Sequence, residues 1–185
     1  NITYSKELYV MIGGLEVVLR NAFHKQLKEY FRKDDWMSNL QLFRKNHQDQ
    51  INQAIQKLSE NKNGNYKLPD LISELSFGFW THLTDAPYEQ MFWTPALRHS
   101  FQHKFGAPVR QDVEKRLRSL LKLRNKIAHL EPIVRIEPKL MQAYQSSYDL
   151  MSWICPLTAQ WFDQQNSFRQ IWTHNNQKEA KNDHQ

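Results

Sequence analysis

The amino-acid sequence predicts an all-α fold, a bundle of about five to seven helices, from three observations. Only 5 Gly and 7 Pro are spread over 185 residues. Apolar residues recur every three or four positions, and few segments alternate apolar with polar as half-buried strands do. Apolar residues make up 40% of the chain, with 10 Phe, 7 Tyr and 6 Trp, enough large side chains to offset the entropy lost on forming one core. Intrinsic disorder is thereby excluded for the body of the chain. The length suits one helical domain over residues 1–172, whereas residues 173–185 hold almost no apolar side chain and read as a disordered polar tail.

From Tyr4 to Phe31, the residues Leu8, Ile12, Leu15, Leu19, Ala22 and Phe23 form one stripe of a long helix. Gly13 and Gly14 weaken its propensity without stopping it, and such a pair can mark the close approach of another helix. After the Lys33-Asp34-Asp35 turn, Ile51, Ala54, Ile55 and Leu58 define a second helix, which Asn61-Lys62-Asn63-Gly64-Asn65 ends. Pro69 suits the first turn of a third helix running through Leu71, Ile72, Leu75 and Phe79. Thr94-Pro95 has the pattern of an N-cap followed by Pro at the first helical position, opening a short helix toward Phe101. Gly106 and Pro108 then break the chain before a basic helix from about Val109 to Ala128. Pro132 and Pro138 bracket a turn. A long final helix carries Leu140, Tyr144, Tyr148, Met151 and Ile154, with a kink at Pro156 before it continues through Trp161.

No stretch approaches the roughly 18 uninterrupted apolar residues of a membrane span. The lone cysteine, Cys155, has no internal partner for a disulfide, which fits a reducing compartment. A soluble, cytoplasmic protein without a membrane partner is the expectation. The net charge of +6 is unevenly distributed: from Arg98 to Lys126 there are nine basic residues against two acidic ones, an excess of seven. Charge at that density is either a solvated helix face or a surface for a polyanion such as nucleic acid, with Arg110, Lys115, Arg116, Arg118 and Lys122 as its candidates.

One residue of the basic helix is out of place. Val113, Leu117, Leu120, Leu121, Ile127 and Ala128 mark the buried face, and at about 100° per residue Arg124 falls in the middle of that stripe. A guanidinium stays protonated, so this position demands a partner or a wet cleft. Two readings stand: an internal ion pair, with Glu16 of the first helix as partner, or a cavity in which Arg124 grips a phosphate. His129 lies five residues on, where Pro132 brings the helix to an end. The imidazole then either swings back toward Arg124 or meets the Arg124 of a second copy across a twofold axis. Taken singly, His129 reads as a partner of the helix dipole or a capping residue, and Asn125 as an ordinary polar position.

The combination is more specific. Arg124-Asn125-Lys126-Ile127-Ala128-His129 resembles the R-x4-6-H motif of the HEPN superfamily, in which a polar residue, often Asn, follows the Arg. Residues Leu123 to Ile133 resemble, more narrowly, the L-R-N-x-I-A-H-x-E-P-I signature of the Abi-like family of bacterial phage-defence proteins. Three further segments are similar to that family in the same order: Leu15 to Asn21, Glu74 to Trp80 and Trp153 to Pro156. The resemblance covers roughly residues 8 to 165, with one departure, Leu130, where many relatives carry a second His.

This resemblance implies a HEPN-type helical bundle, usually a homodimer with a composite cleft, and an abortive-infection toxin that cleaves RNA without metal or other cofactor. RNA supplies its own nucleophile, the 2′-OH, so the protein has to move protons and stabilise the crowded phosphorane. In that scheme His129 is acid or base, Arg124 stabilises charge on the phosphoryl oxygens, and Asn125 orients the imidazole or holds the substrate. Glu16, Arg20, Asn21, Lys126 and Glu131 bind substrate or support the centre, Glu16 as a brace behind the motif helix and Arg20 with Asn21 in the cleft. The rival within the same resemblance is a catalytically silent RNA-binding module that holds a structured non-coding RNA. A pure protein-interaction scaffold is a third class. Zinc through His99-x3-His103 lacks an acidic or Cys ligand. The aromatics Phe77, Phe79, Trp80, Phe92 and Trp93 read as core in preference to a base-stacking platform.

Overall fold

Helix α1 (Ile2–Phe31) is the spine of the computed structural model, which describes the backbone of residues 2–133 and 137–182 and the side chains of residues 2–133 and 139–175. Its inner face buries Leu8, Ile12, Leu15, Leu19, Phe23 and Leu27 completely. The two adjacent glycines differ. A Cβ on Gly14 would lie 2.5 Å from the Phe162 ring, so a missing side chain lets that aromatic rest on the α1 backbone, whereas nothing approaches Gly13 within 4 Å.

Helix α2 (Lys45–Asn61) ends where Asn63 and Gly64 turn left-handed, at φ 48° and 77°. The segment expected as one helix from Pro69 to Phe79 is two, α3 (Leu68–Glu74) and α4 (Phe77–His82). Leu75 is extended between them, and the Ser76 hydroxyl accepts the Phe79 amide at 3.3 Å, so a serine cap restarts the helix. The break leaves both Leu75 and Phe77 buried. Thr94 does not cap a helix either. Its amide closes a π turn over Glu89–Trp93, and a 3-10 turn over Leu97–Phe101 follows with Ala96 as its cap. The wide turn seats the consecutive side chains Phe92 and Trp93 in the core together.

Helix α5 (Arg110–Ala128) has Val109 and His129 as its caps, close to the bounds the sequence predicts. Helix α6 (Glu137–Ile154) packs along α1. At Pro156 the chain breaks instead of kinking: Cys155 is extended, and the proline opens α7 (Pro156–Gln165), where its missing amide leaves no hydrogen bond unmade. Helix α8 (Phe168–Asn182) runs past Thr173, into the segment expected to be an unstructured tail. Trp172 stacks on Phe168, and Asn175 donates to the Tyr4 hydroxyl at 2.9 Å, which anchors the start of that extension on α1. Residues 183–185, and residues 134–136 in the turn between Pro132 and Pro138, lie outside the described residues.

The fold is all-α, with no strand among the described residues. Five helices have fifteen residues or more, namely α1, α2, α5, α6 and α8. One core runs from Tyr4 to Phe168 and contains Phe77, Phe79, Trp80, Phe92 and Trp93. No helix among the described residues is long and apolar enough to cross a membrane. Helix α5 lies against α1, α4 and α6, so its inner face is core and its last turn emerges at the surface.

Candidate functional site

The inner face of α5 consists of Val113, Leu117, Leu120, Leu123 and Ile127, with Leu121 half-buried and Ala128 exposed. Leu123 therefore belongs to the stripe and Ala128 does not. Arg124 sits beside Leu123 and Leu120, half-buried, as its helical phase requires. Its Nη1 donates to Asn125 Oδ1 at the long distance of 3.5 Å. Among the described residues no carboxylate lies within 4.0 Å of it. Glu16 is nonetheless near. Burial pushes the Glu16 carboxyl above the ordinary glutamate range, against the opposing pull of the Arg124 guanidinium, the Phe77 amide and Arg20. Helices α1, α4 and α5 thus meet at a half-buried carboxylate that Arg124 feels without clasping.

The last turn of α5 closes in a Schellman motif. The Leu130 amide donates to the Ile127 carbonyl at 3.0 Å and the Glu131 amide to the Lys126 carbonyl at 2.9 Å, with Leu130 in the left-handed region at φ 58°. Helices usually place Gly or Asn there, and a leucine costs about 1–2 kcal/mol. Its side chain is 89% exposed. Asn125 and His129 are exposed as well, and the Lys126 ammonium pairs loosely with Glu131 at 3.9 Å. The guanidinium and the imidazole are therefore both within reach of solvent.

The α1 candidates diverge. Arg20 is half-buried, and its Nε is buried without a hydrogen-bond partner among the described residues. Asn21 is exposed and lines a groove of about 400 Å³ with His24, Lys28 and Asp34 on one side and residues of α3 on the other. Arg124, Asn125 and His129 are not part of that groove.

The predicted basic surface is only partly a surface. Arg110 is not on it: its side chain is 6% exposed, donates to the Thr84 carbonyl at 2.8 Å and pairs with Glu89 at 2.9 Å and with Glu114. Buried charge persists only when paired, and here the pairs join α5 to the chain around the π turn. Arg116 bridges Asp112 at 3.1 Å and Asp149 at 3.3 Å and covers the Trp153 ring. Arg118 bridges Asp85 at 2.9 Å and Glu114 at 3.1 Å. Lys115 and Lys122 are exposed, with no ion pair among the described residues.

A residue that the sequence did not single out, Lys139, joins Lys115 across a groove of about 350 Å³ between α5 and α6. Only the packing of α6 brings them together, so no local signal marks it. Among the described residues no group of three or more His, Cys, Asp or Glu side chains is placed to hold a metal ion; His99 and His103 are both exposed. What is defined is an all-α domain whose motif helix ends in an unclasped arginine and an exposed histidine. Compared with family models, curated proteins and solved structures, the chain matches none.

Proposed function

We propose that the protein is a metal-independent endoribonuclease of the HEPN type, an abortive-infection toxin acting on intracellular RNA. The observation that carries this reading is Arg124: alone among the half-buried arginines of α5 it has no carboxylate partner within 4.0 Å among the described residues. A partly desolvated guanidinium with donors to spare is suited to the charge that develops on phosphoryl oxygens. His129, at the solvent-facing end of the same helix, takes the proton of the 2′-OH and returns one to the departing 5′-oxygen, or shares these roles with a second copy. Asn125, next to Arg124 on α5 and within 3.5 Å of its Nη1, is exposed. The residue pattern from Leu123 to Ile133 supports the same assignment. A homodimer fits the outer face of α1, where Tyr9, Val10 and Val17 are exposed near Glu16 and Arg20.

One observation favours the catalytically silent RNA-binding module. No group among the described residues hydrogen-bonds the His129 side chain, whereas catalytic imidazoles are usually held in orientation. A single experiment separates the readings: incubation of the purified protein with total RNA in EDTA, with end-group analysis for a 2′,3′-cyclic phosphate. The wild-type chain cuts, while Arg124→Ala and His129→Ala each lose about two to four orders of magnitude of rate and keep their fold by circular dichroism. Equal cutting by both variants removes the site assignment, and no cutting by any protein leaves the binding module.

A further inference from the structure

With Arg110, Arg116 and Arg118 locked into carboxylates and Lys126 only loosely paired with Glu131, the exposed polar groups of α5 form a simpler pattern. On α5, Lys115, Ser119, Lys122, Lys126 and His129 fall within about 40° of one line, over a rise of about 21 Å. All are exposed. The far end of the line opens into the groove between α5 and α6, lined by Lys115, Arg116, Ser119, Lys139, Gln142 and Ser146. Asp112 also lines it, but that carboxylate is engaged by Arg116, as is Asp149 behind it. Lys115 and Lys139 have no ion pair among the described residues, so the unspent charge of the groove is theirs. Hydroxyl and amide side chains stand among these lysines, beside Leu120 and Ala143, so donors for phosphate oxygens sit next to a patch of apolar wall.

We propose that the groove between α5 and α6 is a phosphodiester-binding subsite, and that a single strand of RNA runs from it along the lysine line of α5 to His129. The proposal rests on the RNA-directed reading above and specifies the path. The line matches about six stacked nucleotides at 3.4 Å each, so the groove engages the backbone remote from the scissile linkage. Lys115 and Lys139 act there as point charges on phosphates, and Ser119, Gln142 and Ser146 supply neutral hydrogen bonds. Phosphate contacts of this kind set register and carry no sequence preference.

The test is fluorescence anisotropy of the full chain with a 2′-O-methylated single-stranded RNA of about 12 nucleotides, which lacks the nucleophile and cannot be cut. Lys115→Glu and Lys139→Glu each weaken binding about tenfold, and each lowers the slope of log affinity against log salt by about 0.7. Lys45→Glu, an exposed reversal on α2, leaves both unchanged. Wild-type affinity in both groove variants overturns the subsite, as does displacement of the probe by inorganic phosphate at an equal concentration of phosphate groups, which marks an isolated-anion site. The probe is inert, so weakened binding in the two variants upholds the path even where native RNA is not cleaved. Conversely, cleavage of native RNA with unweakened probe binding keeps the ribonuclease and removes the path.

Discussion

The two ends of α5 carry the same kind of sequence and have opposite fates. In the first half, Arg110, Arg116 and Arg118 are each committed to two carboxylates, and Arg110 also to a backbone carbonyl. In the last turns, Arg124, Asn125 and His129 are uncommitted, and Leu130 holds a backbone conformation that leucine disfavours. The difference teaches that charge density alone does not locate a binding surface; what matters is which cations remain after the fold has taken its own. By that criterion the first half of the helix is a brace, with Lys115 as an exception on its outer side, and the last turns are available for chemistry.

The contrast breaks first at Arg110. Arg110→Ala leaves the Thr84 carbonyl and the half-exposed Glu89 carboxylate without their donor and Glu114 with Arg118 alone, and urea unfolding should show a loss of about 1–3 kcal/mol. Arg124→Ala should cost under about 1 kcal/mol, because no ion pair is lost. Comparable losses in the two variants erase the distinction between brace and site. A smaller effect sharpens it from the other end. Leu130→Gly relieves the left-handed strain and should raise stability by up to about 1 kcal/mol, the glycine's extra unfolded freedom offsetting part of the relief. A lower melting temperature shows that the exposed leucine is held by contacts after all.

The smallest effect lies in the pH dependence of Glu16. Its carboxyl sits above the ordinary value of 4.5 in the folded chain, so between that value and the raised one the folded chain holds a proton the unfolded chain has released. Stability therefore falls as pH rises through that window. Glu16→Gln should match the wild type below pH 4.5 and exceed it slightly above the window. In Arg124→Ala the Glu16 carboxyl should titrate higher still by NMR, since one of the charges holding it down is gone. An unmoved titration places the guanidinium too far away to share a site with α1.

Much of this was readable from the sequence where the cause is local. Helical phase predicted the odd position of Arg124, and Pro132 predicted the end of α5 near His129. The i,i+4 pairs Asp112–Arg116 and Glu114–Arg118 are also spaced in the sequence, and reading them as neutralised would have thinned the basic surface in advance. What was not legible comes from distant chain. Glu89 and Thr84 reach Arg110 from the region of the π turn, and Lys139 reaches the groove from α6. The break at Ser76 had a local signal, a serine three residues before Phe79, that the apolar spacing of Leu71, Leu75 and Phe79 overrode. The helical course of α8 beyond Thr173 has no such signal in its polar sequence; its anchor is the distant Tyr4.

The paired glycines of α1 turn a two-letter repeat into a lock with one keyhole. Phe162 occupies the space that any side chain at position 14 would need, so the seating of α7 depends on one hydrogen atom in place of a methyl. Position 13, one step round the helix, meets open space and is free to vary. Two identical neighbours thus meet unequal surroundings, since a side chain at position 14 must displace the Phe162 ring and one at position 13 displaces nothing.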